Sequence, residues 1–186
     1  MPLARIFFVA TLLHVYIAVR LGLALADHPW AVVALVAVLA VSAVSMPTAM
    51  LARGIRHAGW ADKAAWIGML SMGLFSGLLV LTLLRDVLLL LVDIVDAVWP
   101  SVLQAAHLSF AELTIGSARA VPLLAVAGSA IGFVNARRIA RVVRVDVPIE
   151  GLPAALQGFS IVQLSDIHVG PTIKRGYVRA IVERAN

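Results

Sequence analysis

The chain contains no cysteine and little charge: 13% of its 186 residues are Asp, Glu, Lys or Arg. The first absence excludes disulfides, thiolate catalysis, and zinc or iron–sulfur sites held by Cys. The second excludes an ordinary soluble domain, in which about 25% of residues are charged and about 45–50% apolar. What fills the chain instead is apolar: 62% of residues are hydrophobic and the mean hydropathy is +1.00. The net charge of +5 is carried by arginines placed beside the apolar runs rather than on a separate basic domain. That placement favours anionic lipid as the partner and argues against nucleic acid.

Four apolar runs are long enough to cross a bilayer, which takes about 20 residues at 1.5 Å each. The first extends from Ile6 to Ala26. Arg5 followed by Ala24-Leu25-Ala26 has the form of a signal peptide and its cleavage site. The run is longer than a usual signal core, however, and Arg20 interrupts it, so a retained helix is expected. The second span extends from Trp30 to Met50 and holds Pro47 near its end. A third begins after Lys63 and continues to Leu84, where Arg85-Asp86 stops it. The stretch Val87 to Val92 is too short to cross alone and either extends that helix or lies at the interface, with Asp93, Asp96 and Trp99 facing headgroups or water. The fourth starts at Ile115 or Arg119, reaches Val134, and is followed by Arg137, Arg138, Arg141 and Arg144.

The basic residues orient the bundle. Arg53, Arg56 and Lys63 lie between spans two and three, while no Lys or Arg occurs from Leu21 to Ala52 or from Val87 to Ala118. The positive-inside rule therefore places the N-terminus, the middle loop and the segment after span four in the cytoplasm. Two Gly-x-x-x-Gly pairs, Gly73/Gly77 and Gly128/Gly132, point to a close contact between spans three and four. Arg20, Arg85 and Asp86 are expected at the outer interface, snorkelling or pairing with one another. His14 alone falls near mid-bilayer, with His28, His57 and His107 in loops or at interfaces, so a bis-His haem site is not expected. There is also no row of carboxylates for an ion path.

After Ala136 the period changes. Val143, Val145, Val147 and Ile149 alternate with Arg144, Asp146 and Pro148, the two-residue repeat of a half-buried strand ending at proline. Gly151-Leu152-Pro153 reads as a turn and Ala154 to Gln157 as a short connection. Phe159 to Leu164 reads as a buried strand, and Gly170-Pro171 breaks it. From Ile173 on, Tyr177, Val178, Ile181, Val182 and Ala185 follow helical spacing. Strand, turn, strand, loop and helix together make the opening of an α/β domain.

The loop after the second strand carries Asp166 and His168. Residues two apart in an extended stretch point the same way, so both can converge on one ion. A carboxylate oxygen with an imidazole nitrogen suits Mn²⁺, Fe or Zn²⁺ better than Ca²⁺. Gly170 would let the backbone turn away. The bland alternative makes Asp166 a turn cap and His168 a surface side chain, and position after a buried strand favours the metal.

Gly158-Phe159-Ser160-Ile161-Val162-Gln163-Leu164-Ser165-Asp166-Ile167-His168-Val169-Gly170 resembles the first motif of calcineurin-like metallophosphoesterases. The resemblance is closest to a bacterial subgroup with a multi-span N-terminal region, and Val145-Asp146-Val147-Pro148-Ile149 with Gly151-Leu152-Pro153 is similar to that subgroup's lead-in strand. It covers about residues 140–186 and implies that Asp166 and His168 bind one metal of a dinuclear centre that hydrolyses phosphoesters. The family's other motifs, Gly-Asp-x-x-Asp, Gly-Asn-His-Glu or -Asp, a later His and Gly-His-x-His, do not occur in these residues.

The expected architecture is thus an α-helical membrane bundle of four transmembrane helices (residues 1–136) followed by the truncated start of an α/β metallophosphoesterase domain (residues 137–186). The expected function is membrane-anchored, metal-dependent phosphoester hydrolysis, with this stretch inactive by itself because two ligands cannot build the centre. The substrate is a phosphoester, with lipid-linked phosphate and nucleotides equally compatible. The alternative is a non-enzymatic four-helix membrane protein with a short cytoplasmic interaction tail.

Overall fold

The computed structural model describes residues 2–51, 57–100 and 109–186. The described helices are α1 (Pro2–Ala24), α2 (Pro29–Leu51), α3 (Ala58–Val98), α4 (Phe110–Ala136) and α5 (Arg175–Ala185), with one 3-10 turn at Ala154–Leu156. The chain divides into two compact units, Met1–Asn135 and Ala136–Asn186. Arg53, Arg56 and His107 lie outside the described residues.

Among the described residues, three helices are long and apolar enough to cross a membrane: Phe7–Ala24 of α1, Pro29–Pro47 of α2, and Phe110–Ala136, the whole of α4. The expected third span, residues 64–84, lies inside α3 and carries no Asp, Glu, Lys or Arg, but it is not among these three. With 41 residues, α3 is about 60 Å long, twice the roughly 30 Å of a bilayer core. Residues 87–92 therefore extend the helix, which ends where the Trp99 N–H donates to Val95 O at 2.7 Å. Helix α4 starts at Phe110, earlier than the expected Ile115, because Ser109 and Glu112 form a capping box. Glu112 N–H donates to Ser109 Oγ at 3.1 Å, and Ser109 N–H donates back to Glu112 Oε2 at 3.1 Å.

The first four helices run up, down, up, down. His14 meets Ser42 across α1 and α2, Ser45 meets Ser71 across α2 and α3, and Arg85 meets Ser117 across α3 and α4. Each helix turns a seam of three- and four-residue spacing inward, the arrangement that lets side chains interdigitate. Ile17, Leu21 and Leu25 of α1, Leu35 and Leu39 of α2, Phe75 and Leu78 of α3, and Ala118, Val121 and Ala125 of α4 form one buried cluster.

Polarity is inverted relative to a soluble bundle. Leu23, Val44 and Leu123 are exposed, while His14, Ser42, Ser45, Thr82 and Arg85 are buried. A soluble protein would hide so large an apolar surface. Lipid offers no hydrogen bonds, so polar groups face inward and must satisfy one another. Among the described residues no buried side-chain nitrogen or oxygen lacks a partner. His14 shows how this is done. Its Nδ1 lies 2.7 Å from Ala10 O, which can only accept, so Nδ1 carries the proton and Nε2 accepts from Ser42 Oγ at 3.2 Å. The ring stacks on Phe75 with centroids 4.1 Å apart.

Two expectations about the bundle change. Of the four glycines in the paired motifs, only Gly77 meets the neighbouring helix: a Cβ there would lie 3.6 Å from Ala125 Cβ. Gly73, Gly128 and Gly132 face open space, so the contact is glycine on alanine rather than glycine on glycine. Arg85 does not snorkel. It is 5% exposed and sits on the inward seam of α3, seven residues after Leu78 and four before Leu89.

In the unit Ala136–Asn186 the described residues contain no strand. Residues 143–149 and 159–164 form neither helix nor strand, and Val143, Val145, Phe159 and Ile161 are exposed. Alternating side chains specify a face; a strand also requires a neighbour to pair its backbone N–H and C=O groups. The turn expected at Gly151 is present, with φ of 74°, and Gly158 has φ of 77°. The helix expected from Ile173 begins at Arg175 and buries Ile181. Arg137 Nη1 donates to Thr172 O at 2.9 Å and Tyr177 Oη to Arg138 O at 3.2 Å, which tie both ends of this unit together.

Candidate metal centre

Asp166 and His168 occupy the loop between residues 159–164 and α5. A hydrogen bond from Gly170 N–H to Ile173 O at 3.0 Å closes the loop after them. Gly170 is therefore a turn residue, and it is not among the glycines with positive φ.

Extended geometry does not align the pair. Both residues adopt the left-handed conformation, Asp166 with φ of 58° and His168 with φ of 49°. Asp and His are among the few non-glycine residues that visit this region with any frequency. Two left-handed residues around Ile167 coil the chain, so the side chains meet by curvature and not by strand alternation. His168 Nε2 lies 2.5 Å from Asp166 Oδ1. The two side chains are 79% and 83% exposed, so no packing holds them in contact.

The donor chemistry suits a metal of the Mn, Fe or Zn class: a hard carboxylate oxygen and a borderline imidazole nitrogen. Each would bind at about 2.0–2.2 Å, and two exposed side chains can part enough to admit an ion. Among the described residues, however, no group of three or more His, Cys, Asp or Glu side chains could hold a metal ion. The loop offers half of a mononuclear site, and further donors are needed to complete it.

The sequence showed only part of a second polar cluster. Asp86, Tyr16, Arg20, Arg85, Thr114 and Ser117 meet inside the bundle. The pairing of Arg20 and Arg85 with Asp86 was expected from their common depth. Tyr16 and Asp86 are 70 residues apart, and Arg85 and Ser117 are 32 apart, so only helix packing joins them. The one sequence signal was the pair Tyr16 and Arg20, four residues apart on one face of α1.

No protein-family model matches the chain, and no solved structure does. The chain is similar to a protein of Danio rerio named "Transmembrane protein with metallophosphoesterase domain", at 47% identity over 55 residues. It is similar to a Bos taurus protein of the same name at 40% identity over 58 residues. These stretches cover 30% and 31% of this chain and 13% of each relative's length. Both names agree with the motif resemblance at the level of family. Both relatives are vertebrate, so these matches do not support the bacterial subgroup expected from the motif.

Proposed function

We propose that this chain is the membrane anchor and first metal-binding loop of a membrane-bound, metal-dependent phosphoesterase. The observation that carries this is the meeting of Asp166 and His168 in one exposed loop, 2.5 Å apart. Its context supports it: apolar helices able to cross a membrane, and two relatives named for a transmembrane protein with a metallophosphoesterase domain. In this reading residues 64–84 of α3 are the fourth crossing. The arginines at 137, 138, 141 and 144 keep the loop on the cytoplasmic side of a plasma membrane, bacterial by motif resemblance.

Divalent ions of the Mn, Fe or Zn class, two in the complete centre, would supply electrophilic stabilisation of a phosphoryl group. The chain's own part is to hold one ion through Asp166 Oδ1 and His168 Nε2 on a loop open to solvent. The remaining donors come from chain beyond these residues, and without them the site does not turn over. The substrate is a phosphoester, whether lipid-linked phosphate or a nucleotide; nucleic acid is not a partner.

The test uses the natural protein that carries this chain, purified in detergent with Mn²⁺ and assayed with an aryl phosphate. Asp166→Asn and His168→Ala should each lower turnover by more than the roughly 10–100-fold that loss of an outer-shell partner costs. Bound metal should fall in parallel. Wild-type turnover and metal content in both variants would sink the proposal, and absence of turnover and bound metal in the wild type as well would support the non-enzymatic membrane protein instead.

A further inference from the structure

The bundle holds a charged cleft that phosphoester hydrolysis does not use. Where α1 ends and α4 begins, Asp86 is the acceptor for three donors. Its Oδ2 takes the Tyr16 hydroxyl at 2.7 Å and Arg20 Nε at 2.6 Å, and its Oδ1 takes Arg85 Nη1 at 3.0 Å. Arg85 also donates Nε to Ser117 Oγ and Nη2 to Thr114 O, each at 2.9 Å. Two guanidinium groups share one carboxylate, so the cluster carries a net charge of one positive unit. Arg85 is spent on the protein. Arg20 is not: its side chain is 47% exposed, and its two terminal nitrogens have no partner among the described residues.

A cleft of about 470 Å³ opens beside Arg20, lined by Leu23, Leu89 and Phe110 as well as Asp86 and Asp93. Asp93 is exposed and has no partner among the described residues. It lies seven residues after Asp86 on α3, two turns and about 10 Å along the helix. One end of the cleft thus offers an unspent cation, the other an unspent carboxylate, and the wall between them is apolar. Asp93 balances the excess guanidinium, so the cleft as a whole is neutral with its two charges held apart. A simple anion would meet repulsion from Asp93. A group with an anionic and a cationic end, attached to a hydrocarbon chain, would not.

We propose that this cleft binds a membrane phospholipid with a phosphoethanolamine head. The phosphate accepts from the terminal nitrogens of Arg20 and the ammonium donates to Asp93, so the head lies across Leu23 and Leu89 while an acyl chain runs back past Val19 toward Val15. The arrangement discriminates against phosphatidylglycerol, which has the phosphate but no amine for Asp93.

The experiment is native mass spectrometry of the detergent-purified protein titrated with phosphatidylethanolamine, phosphatidylglycerol or inorganic phosphate. Wild type should retain phosphatidylethanolamine roughly fivefold better than phosphatidylglycerol. Losing the charged donor in Arg20→Gln should weaken phosphatidylethanolamine about tenfold. Asp93→Asn should erase the preference between the two lipids. Equal retention of both lipids by wild type, or undiminished phosphatidylethanolamine binding by Arg20→Gln at wild-type Tm, overturns the proposal. Displacement of lipid by millimolar inorganic phosphate would show a free-anion site and overturn it too. Should Arg20→Gln fail to fold, Asp93→Asn decides alone, because Asp93 is exposed with no hydrogen-bond partner among the described residues and an unchanged lipid preference refutes its role.

Discussion

Gly77 and Gly73 stand four residues apart in the same helix and the same motif, yet the packing predicts opposite responses to one substitution. A Cβ at Gly77 would lie 3.6 Å from Ala125 Cβ, 3.7 Å from its Cα and 3.8 Å from its carbonyl oxygen, whereas at Gly73 it would meet nothing within 4 Å. Those distances are ordinary van der Waals contact, so a methyl group fits. Gly77→Ala should be neutral or stabilising, by up to the roughly 1 kcal/mol that separates Gly from Ala in a helix. Leucine adds three further carbons directed at the Ala125 backbone, which cannot rotate out of the way. Overpacking of this kind costs about 1–3 kcal/mol, and leaning back over the open space at Gly73 keeps it within that range. Gly73→Leu has no wall to meet and should be tolerated. Thermal unfolding in detergent reads the difference, with Gly77→Leu lowering Tm by roughly 2–10 °C. If Gly73→Leu were as damaging as Gly77→Leu, or Gly77→Leu were harmless, the contact with Ala125 would not be a tight one.

Asp86→Asn strips the charged acceptor from Tyr16, Arg20 and Arg85 and should cost about 3–5 kcal/mol, as breaking one side of a buried pair does. Pairing it with Arg85→Met should cost less than Asp86→Asn alone, a coupling that a double-mutant cycle in Tm would detect. His14→Ala opens a gap beside Phe75 and takes the Nε2 acceptor from Ser42, for a loss of about 2–4 kcal/mol. His14→Phe, which refills the space, should lose less in the same unfolding assay. At the metal loop, Asp166→Asn tests the ligand without disturbing the backbone, since Asn tolerates the left-handed φ of 58°. Mn²⁺ retention after gel filtration should fall while the helical circular dichroism stays unchanged.

How much of this was legible in the sequence differs between the two units. Apolar runs and the charges that end them identified α1, α2 and α4 as helices able to cross a membrane, because length and hydropathy are local properties. The boundaries moved where a local device was overlooked, as with the Ser109 and Glu112 capping box that starts α4 early. Alternation in residues 143–149 and 159–164 was real, but pairing is not local. Neither segment has a strand neighbour among the described residues, so a pattern written for a sheet remains unpaired and exposed. Asp166 and His168 were found as a pair of ligand types, while the geometry that brings them together is a left-handed coil and not strand alternation.

Composition alone determined that this is a membrane-type chain without thiol chemistry, and a short motif marked Asp166 and His168 as the candidate metal ligands. Only tertiary structure decided which polar groups face one another: Tyr16 with Asp86, Arg85 with Ser117, His14 with Ser42, and Gly77 against Ala125. The reason is physical. In lipid the apolar surface carries no information about which helices are neighbours, since every exposed face is equally content. Neighbours are chosen by the few groups that cannot be left unpaired and by the few positions small enough for close approach, and both are properties of pairs of helices.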